Sequence, residues 1–269
     1  MGEILYHYCS INTLELILKH QTIRFSSLST VDDIEESTTA EDINLGKVCF
    51  VSCWTDLEQD TIEMWRSYTD TGKGVRIGLP KDFFNKNLGR RDPLDAYHEI
   101  KESYDISLNP PYVPRLIPIT YTKDNTLIKL SVLKESIEKC DKCGNESHSL
   151  HFDLRLLGKF KRDIWSHQSE WRYVLFAIPY QYLSNNLEGK YLDGSLKHRL
   201  SLMKSDLLNI EFNVDFIDYR FDRSIFEDLE ILTSPLNSEK EKQDIRQIMN
   251  ENLEVNQICI RKSGLQIRR

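Results

Sequence analysis

Apolar positions along the chain come in short, dense runs broken by polar turns, and these runs set the expected strands. Trp171 to Ala177 is aromatic and branched and ends against Pro179, so it reads as a buried strand. Lys47 to Trp54 is the densest apolar run of the first half. Ile4 to Cys9, Thr22 to Phe25, Val75 to Leu79, Leu116 to Thr122, Ile210 to Ile217, Leu229 to Thr233 and Val255 to Ile260 are further strand-like runs. Leu14, Ile17 and Leu18 recur at helical spacing behind Ser10, a residue type that caps helix starts. Helical patterns also cover Thr61 to Tyr68, Thr126 to Lys139, Phe152 to Lys161, Leu200 to Leu208 and Ser238 to Asn252. Glu35 to Leu45 is acidic and reads as a solvated helix or a mobile segment, and Pro93, Pro110, Pro111 and Pro114 break their stretch into loops. Short strands in non-adjacent places, mixed with helices, predict one α+β domain over residues 1–269. Its core is a mixed sheet with flanking helices, and a helical and loop region is inserted at about 82–163.

Composition narrows the partners. A chain of 269 residues with 40% apolar and 29% charged residues is ordinary for a soluble globular protein. A net charge of −7 argues against a general grip on nucleic acid, which needs a surplus of Lys and Arg. Lys159-Phe-Lys-Arg162 and the run from Arg261 to Arg269 are local basic patches. The N-terminus lacks the basic start and apolar core of a secretory signal, and Tyr6 stands where a myristoylation motif has Ser or Thr. With no apolar run of bilayer length, a cytoplasmic, soluble protein without membrane partners is expected. Its 6 cysteines, irregularly spaced, are expected as reduced thiols.

Three stretches offer chemistry. Gln168, Glu170 and Arg172 alternate, so a strand through them would set an amide, a carboxylate and a guanidinium on one face. A carboxylate leading into a buried strand is costly unless paired or used, and a structural Glu170–Arg172 ion pair satisfies that as well as a catalytic role does. Cys140-Asp-Lys-Cys143, with His148 and His151 beyond, reads first as a loop with two surface thiols; it also has ligands of the right softness for a structural zinc, although the second half of the usual motifs is missing. Asp32 and Asp33 read first as a polar turn. Together with Glu170 they could hold Mg²⁺ in a nuclease, a reading that the acidic charge disfavours. Gly72, Gly74 and Gly78 read as turn glycines, not a phosphate loop.

The ordered set Leu5-Tyr-His-Tyr-Cys-Ser10, Ile23-Arg-Phe-Ser-Ser27 with Asp32-Asp33, Phe50-Val-Ser-Cys-Trp54, Met64-Trp-Arg-Ser-Tyr68 with Gly74 to Gly78, and Trp165 to Arg172 resembles a bacterial family labelled domain of unknown function 2971. Leu232-Thr-Ser-Pro235 and Lys262-Ser263 extend the resemblance. The chain departs from it at Cys9 for Thr, at Asp32-Asp-Ile34 for an Asn-Asp-Pro turn, and at Gln168 for Glu. More distantly, an early strand with His, a middle strand with Ser, and a late Gln-x-Glu are similar to the ADP-ribosyltransferase superfamily. That likeness implies NAD as substrate, with Glu170 catalytic, His7 holding the ribose and Gln168 orienting an acceptor. Ser52, Tyr8 and Arg24 would help to bind NAD, and Tyr8, Trp54, Trp65 and Tyr68 stay open as platforms for nicotinamide. The implied activity is ADP-ribosyl transfer or NAD hydrolysis, which suits a toxin or an anti-phage effector. The acceptor stays open among protein, nucleic acid, small molecule and water. The alternative is a non-enzymatic module that binds a nucleotide or a partner.

Overall fold

The structure of the chain, a computed structural model, describes residues 3–40, 44–87, 89–139, 143–144, 146–180, 212–253 and 259–267. The strand β1 (Ile4–Cys9) runs into Ser10, whose hydroxyl accepts from the Thr13 amide at 3.1 Å and starts α1 (Ile11–His20). Leu14, Ile17 and Leu18 form the buried stripe of α1, as their spacing predicts. Gln21, at φ 56°, then turns the chain into β2 (Thr22–Ser27). Short 3-10 turns at Leu28–Thr30, Ile34–Ser37 and Leu45–Val48 lead to β3 (Cys49–Thr55). The Thr61 hydroxyl caps α2 (Ile62–Tyr68), followed by β4 (Val75–Pro80), α3 (Phe83–Asn87) and α4 (Pro93–Tyr104). Next come β5 (Ile106–Leu108), β6 (Arg115–Pro118), β7 (Thr120–Thr122), α5 (Asn125–Ile128), β8 (Leu133–Lys139), β9 (Glu146–Phe152), β10 (Phe160–Arg162) and β11 (Glu170–Pro179). The last elements are β12 (Phe216–Arg220), β13 (Glu230–Thr233), α6 (Glu239–Asn252) and β14 (Cys259–Lys262).

The centre of the molecule is the antiparallel ladder of β3 and β11, paired from Glu170↔Thr55 to Phe176↔Cys49. Because β11 holds one edge of β3 along its whole length, β1 and β2 must share the other. They take opposite ends of it: β1 pairs at Tyr6↔Thr55, and β2 at Ser26↔Val51 and Ser27↔Phe50. Two wings spread from there, β1-β4-β13-β14 and β2-β12, so the ten-stranded mixed sheet is split between them. β13 and β14 are parallel, whereas the other pairings in this sheet are antiparallel. β1 and β2, both antiparallel to β3, are parallel to each other, and α1 is the crossover that carries the chain from one wing to the other.

Side-chain alternation sorts the two faces. Leu5, Phe25, Phe50, Trp54, Ile77, Tyr173 and Ile217 point into the main core, where Leu14 of α1 and Ile245 and Met249 of α6 also pack. On the other face Leu28, Val48, Val51 and Val174 form a second cluster, and Tyr8, Met64 and Trp65 a third. A separate parallel ribbon of β7 and β10 and a hairpin of β8 and β9 lie outside the main sheet.

Several segments depart from the sequence reading. Asp92 caps α4 and Pro93 opens its first turn, so the proline read as a loop breaker is a helix starter. Thr126 to Lys139 holds only the four-residue α5 before β8 pairs with β9, because a hairpin partner overrides helical spacing. Phe152 to Lys161 is one 3-10 turn and a strand, and Gly158 at φ 73° separates them. Among the described residues of Glu35 to Leu45 the chain forms a 3-10 turn instead of a solvated helix, and Glu36 and Thr39 are buried. Trp165 and its neighbours form a 3-10 turn, Asp163–Gln168, and the strand begins only at Glu170. The helix expected at Leu200 to Leu208 lies outside the described residues, as does most of the Val255 to Ile260 run, whose strand is described from Cys259.

Gly74 ties the wing to the C-terminal part of the chain: its amide donates to Asn237 Oδ1 at 2.9 Å, and its carbonyl accepts from Asn237 Nδ2 at 2.8 Å. A Cβ there would lie 2.3 Å from the Cys9 carbonyl oxygen, at φ +155°. Gly74→Ala should therefore cost at least about 2 kcal/mol, read as a lower urea midpoint at unchanged slope.

Candidate functional site

The split in the sheet leaves Ser52, Cys53 and Trp54 without a strand partner on one edge of β3, among the described residues. A cleft of about 890 Å³ opens there. It is lined by β1 and α1 on one side, by β2 with Val31 and Asp32 on another, and by the end of α2 with the two residues after it, Ser67 to Asp70. Ser52 and Cys53 form part of its wall, together with Lys161, Glu170 and Arg172.

His7 fills the gap in the ladder. Its Nδ1 lies 2.8 Å from the Cys53 carbonyl oxygen, a contact that only a protonated Nδ1 can make, so Nε2 keeps its lone pair. Burial pushes the imidazole below its ordinary value against the opposing pull of that carbonyl, and the ring is neutral. It stands opposite Ile77 and 5.2 Å from the Trp54 ring, which places it on the core face. Glu170 and Arg172 stand opposite Thr55 and Cys53 on the other face. His7 and Glu170 thus line one cleft from opposite faces of the sheet, with Cys53 between them.

Glu170 sits in a buried ionic cluster. Arg172 Nε donates to Glu170 Oε1 at 2.5 Å, and Lys161 Nζ donates to Glu170 Oε2 at 3.1 Å. Arg172 also donates through both terminal nitrogens to Glu36, and to the Gly158 carbonyl at 3.1 Å. The αL turn at Gly158 that interrupts the expected helix is what presents this carbonyl. Arg172 is 0% exposed and Glu36 4%. Burial alone would raise the Glu170 carboxyl, but Arg172 and Lys161 outweigh it and hold the group at about 2. The same two carboxylates hold the Arg172 guanidinium well above its ordinary value against the cost of burial.

Gln168 lies in the 3-10 turn, not on the strand, yet reaches the same place. Its Oε1 accepts from Lys161 Nζ at 2.9 Å and its Nε2 donates to the Tyr68 hydroxyl. The turn is pinned on three sides. Thr55 Oγ1 donates to the Gln168 carbonyl at 2.7 Å, Ser169 (φ 41°) bonds Asp56 through its hydroxyl at 2.5 Å, and the Glu170 amide donates to the Tyr121 hydroxyl at 2.8 Å. Lys161 and Tyr121 are direct partners across the β7–β10 ribbon, so one pair of residues grips both side chains and backbone.

The remaining expected residues are placed as follows. Ser52 lines the cleft but is buried, its hydroxyl accepting from Trp54 Nε1 at 3.0 Å. Arg24 is at the rim, held bidentately by Asp218 at 2.9 Å and stacked on Phe216 at 3.6 Å. Tyr8 lines the cleft but is 5% exposed, edge-on to Trp65. Of the four candidate platforms, Trp54 and Trp65 are core residues, and Tyr68 is the one with open surface in the cleft. Asp33 caps the Ile34–Ser37 turn, and no group of three His, Cys, Asp or Glu side chains among the described residues could hold a metal. For the zinc reading, Cys143 is an exposed free thiol, Cys140 lies outside the described residues, and His148 and His151 lie on β9 with side chains outside them. Sequence reasoning missed Lys161, Glu36 and Tyr121: Lys161 stood only in a basic patch, Glu36 in an acidic run, and nothing marked Tyr121.

Residues 64–173 match a family model described as Protein of unknown function (DUF2971). The match covers less than half of the chain, from α2 into β11, and includes Tyr68, Lys161, Gln168, Glu170 and Arg172. No curated protein and no solved structure matches the chain. No helix among the described residues is long and apolar enough to cross a membrane.

Two outcomes follow from the cluster. Arg172→Leu leaves Glu36 and Glu170 buried beside a single cation, and chemical denaturation should show a loss of about 3–5 kcal/mol. The depressed carboxyl of Glu170 contributes stability that is full above its ordinary value of 4.5 and is lost as pH falls toward about 2. Lys161→Met removes one of the two cations that hold it down, so acid unfolding should begin at higher pH. An unchanged acid limb would take Lys161 out of the network.

Proposed function

We propose that the chain binds NAD in the cleft between the wings and breaks its N-glycosidic bond. The bond from ribose C1′ to the nicotinamide nitrogen breaks, and its electron pair leaves with nicotinamide. A new bond forms from C1′ to an acceptor atom or to water, whose proton passes to solvent. Positive charge develops on the ribose as the first bond breaks, much as in glycoside hydrolysis. A carboxylate that is already ionised and immobile stabilises such charge without reorganising. The observation that carries the reading is the shared cleft: His7, Tyr68 and Glu170 line one opening, of a size usual for small-molecule sites. The neutral imidazole offers Nε2 as an acceptor for a ribose hydroxyl, and Tyr68 offers a partly open aromatic face. The distant likeness to ADP-ribosyltransferases supports the same assignment.

A second reading has its own support. Both Glu170 oxygens are engaged by cations, which favours a binding module in which the cluster shapes the cleft and no reaction occurs.

Nicotinamide release from NAD by the purified protein, beside a Glu170→Gln variant, separates the two. The first reading expects turnover in the parent and a loss of about 10²–10³ in rate in the variant, with NAD still raising the melting temperature of both. A parent that binds NAD without turnover, even with added protein and nucleic-acid acceptors, favours the module. A parent that neither turns over NAD nor is stabilised by it ends the NAD assignment.

A further inference from the structure

The polarity of the hydrogen bonds around Gln168 restricts what the cleft can hold. Lys161 Nζ is 4% exposed with its residue and has only hydrogens to give, so the Gln168 atom 2.9 Å away must be the amide oxygen. That settles the amide orientation: Nε2 faces Tyr68 and donates to its hydroxyl oxygen. The Tyr68 oxygen, already accepting, has its own proton left to give. Tyr68 lines the cleft, whereas Gln168 is 2% exposed behind it. The chain of donors therefore runs one way, from a buried ammonium through an amide to a phenol at the cleft wall. Each link polarises the next in a low-dielectric interior. Burial, first of all, and then the nearby Glu170 carboxylate raise the Tyr68 hydroxyl above its ordinary value, so it keeps the proton.

We propose that Tyr68 is an oriented hydrogen-bond donor aimed by Lys161 through Gln168, and that the ligand sets an acceptor oxygen against it. That oxygen belongs to a carboxamide or to a phosphate; a ligand that offers an N–H group there, such as a guanidinium, meets a donor and is rejected. The proposal rests on the NAD reading for the cleft, and NAD carries both kinds of oxygen. It also changes the role expected for Gln168: the amide positions Tyr68, and touches no acceptor itself.

The test is calorimetric titration of NAD, nicotinamide and inorganic pyrophosphate into the parent, Tyr68→Phe, Gln168→Glu and the double variant. Tyr68→Phe keeps the ring and should weaken binding by about tenfold. Gln168→Glu replaces the donor by a carboxylate, which turns the Tyr68 proton inward, and should weaken binding to a similar extent. The double variant should lose no more than either single one, because one hydrogen bond is removed in all three. Losses that add, or a Tyr68→Phe variant equal to the parent, overturn the proposal. A response to nicotinamide identifies the carboxamide oxygen, and a response to pyrophosphate the phosphate. A parent that binds none of the three ends the NAD reading and the ligand half of this proposal together. The relay is then judged without ligand, by carbon NMR of the Tyr68 ring carbon that bears the hydroxyl. Its resonance should shift in Gln168→Glu and in Lys161→Met, both at parent-like far-ultraviolet circular dichroism, and a resonance that stays in place overturns the relay.

Discussion

Arg172 is the constraint on which the cleft depends. A guanidinium with 0% exposure has lost its water, and an isolated charge in that position would be prohibitive. The chain answers with Glu170 from its own strand, Glu36 from the Ile34–Ser37 turn, and the Gly158 carbonyl. Two of these partners come from other segments, so satisfying one side chain fixes two pieces of backbone relative to β11. Glu35 adds a further tie, bonding Arg162 bidentately at 2.7 and 2.8 Å. Replacing the whole cluster, carboxylates included, by hydrophobic residues could pack this region more cheaply, as buried ion pairs are seldom the most stable solution. What the charges add is geometry, since the loop that rims the cleft must return to one place.

The split sheet and the cluster are two halves of one arrangement. Sheets normally continue from strand to strand, but here β1 and β2 meet the same edge of β3 at opposite ends and leave a gap. His7 closes the gap from the core face by binding the Cys53 carbonyl, and the cluster occupies the other face. The β7–β10 ribbon lies within the segment expected as an insertion, yet it supplies Lys161 and Tyr121 to the Glu170 turn. That segment belongs to the site as much as β1 and β11 do.

What could be read in the sequence followed the strength of local signals. The strand pattern of β3, β4 and β11 and the capped stripe of α1 are legible because period and caps agree. Alternation put Glu170 and Arg172 on one face, and the structure agrees. Gln168 reached the site by another route, through a turn in which Ser169 adopts a left-handed conformation that alternation cannot foresee. Glu36 was invisible for a simpler reason: an acidic run gives no hint that one member is buried against an arginine far along the chain. The β8–β9 hairpin and α4 were misread where a tertiary partner, or a proline at a helix start, reverses the meaning of a local pattern.

Charge balance explains why position 168 carries an amide. Within the buried cluster Glu36 and Glu170 face Lys161 and Arg172, so two negative charges meet two positive ones. A third carboxylate would leave a buried surplus of negative charge, which is costly in a low-dielectric interior. Gln168 keeps the balance and still uses its oxygen to satisfy Lys161. The balance also limits how Glu170 can act on a ligand. With its charge already met by two cations, it repels a phosphate less than a bare carboxylate would, which is compatible with the pyrophosphate of the proposed ligand. The same neutralisation weakens its pull on a developing cation. The tension between those effects is electrostatic, and under the NAD proposal it turns on how closely Lys161 stays paired with Glu170.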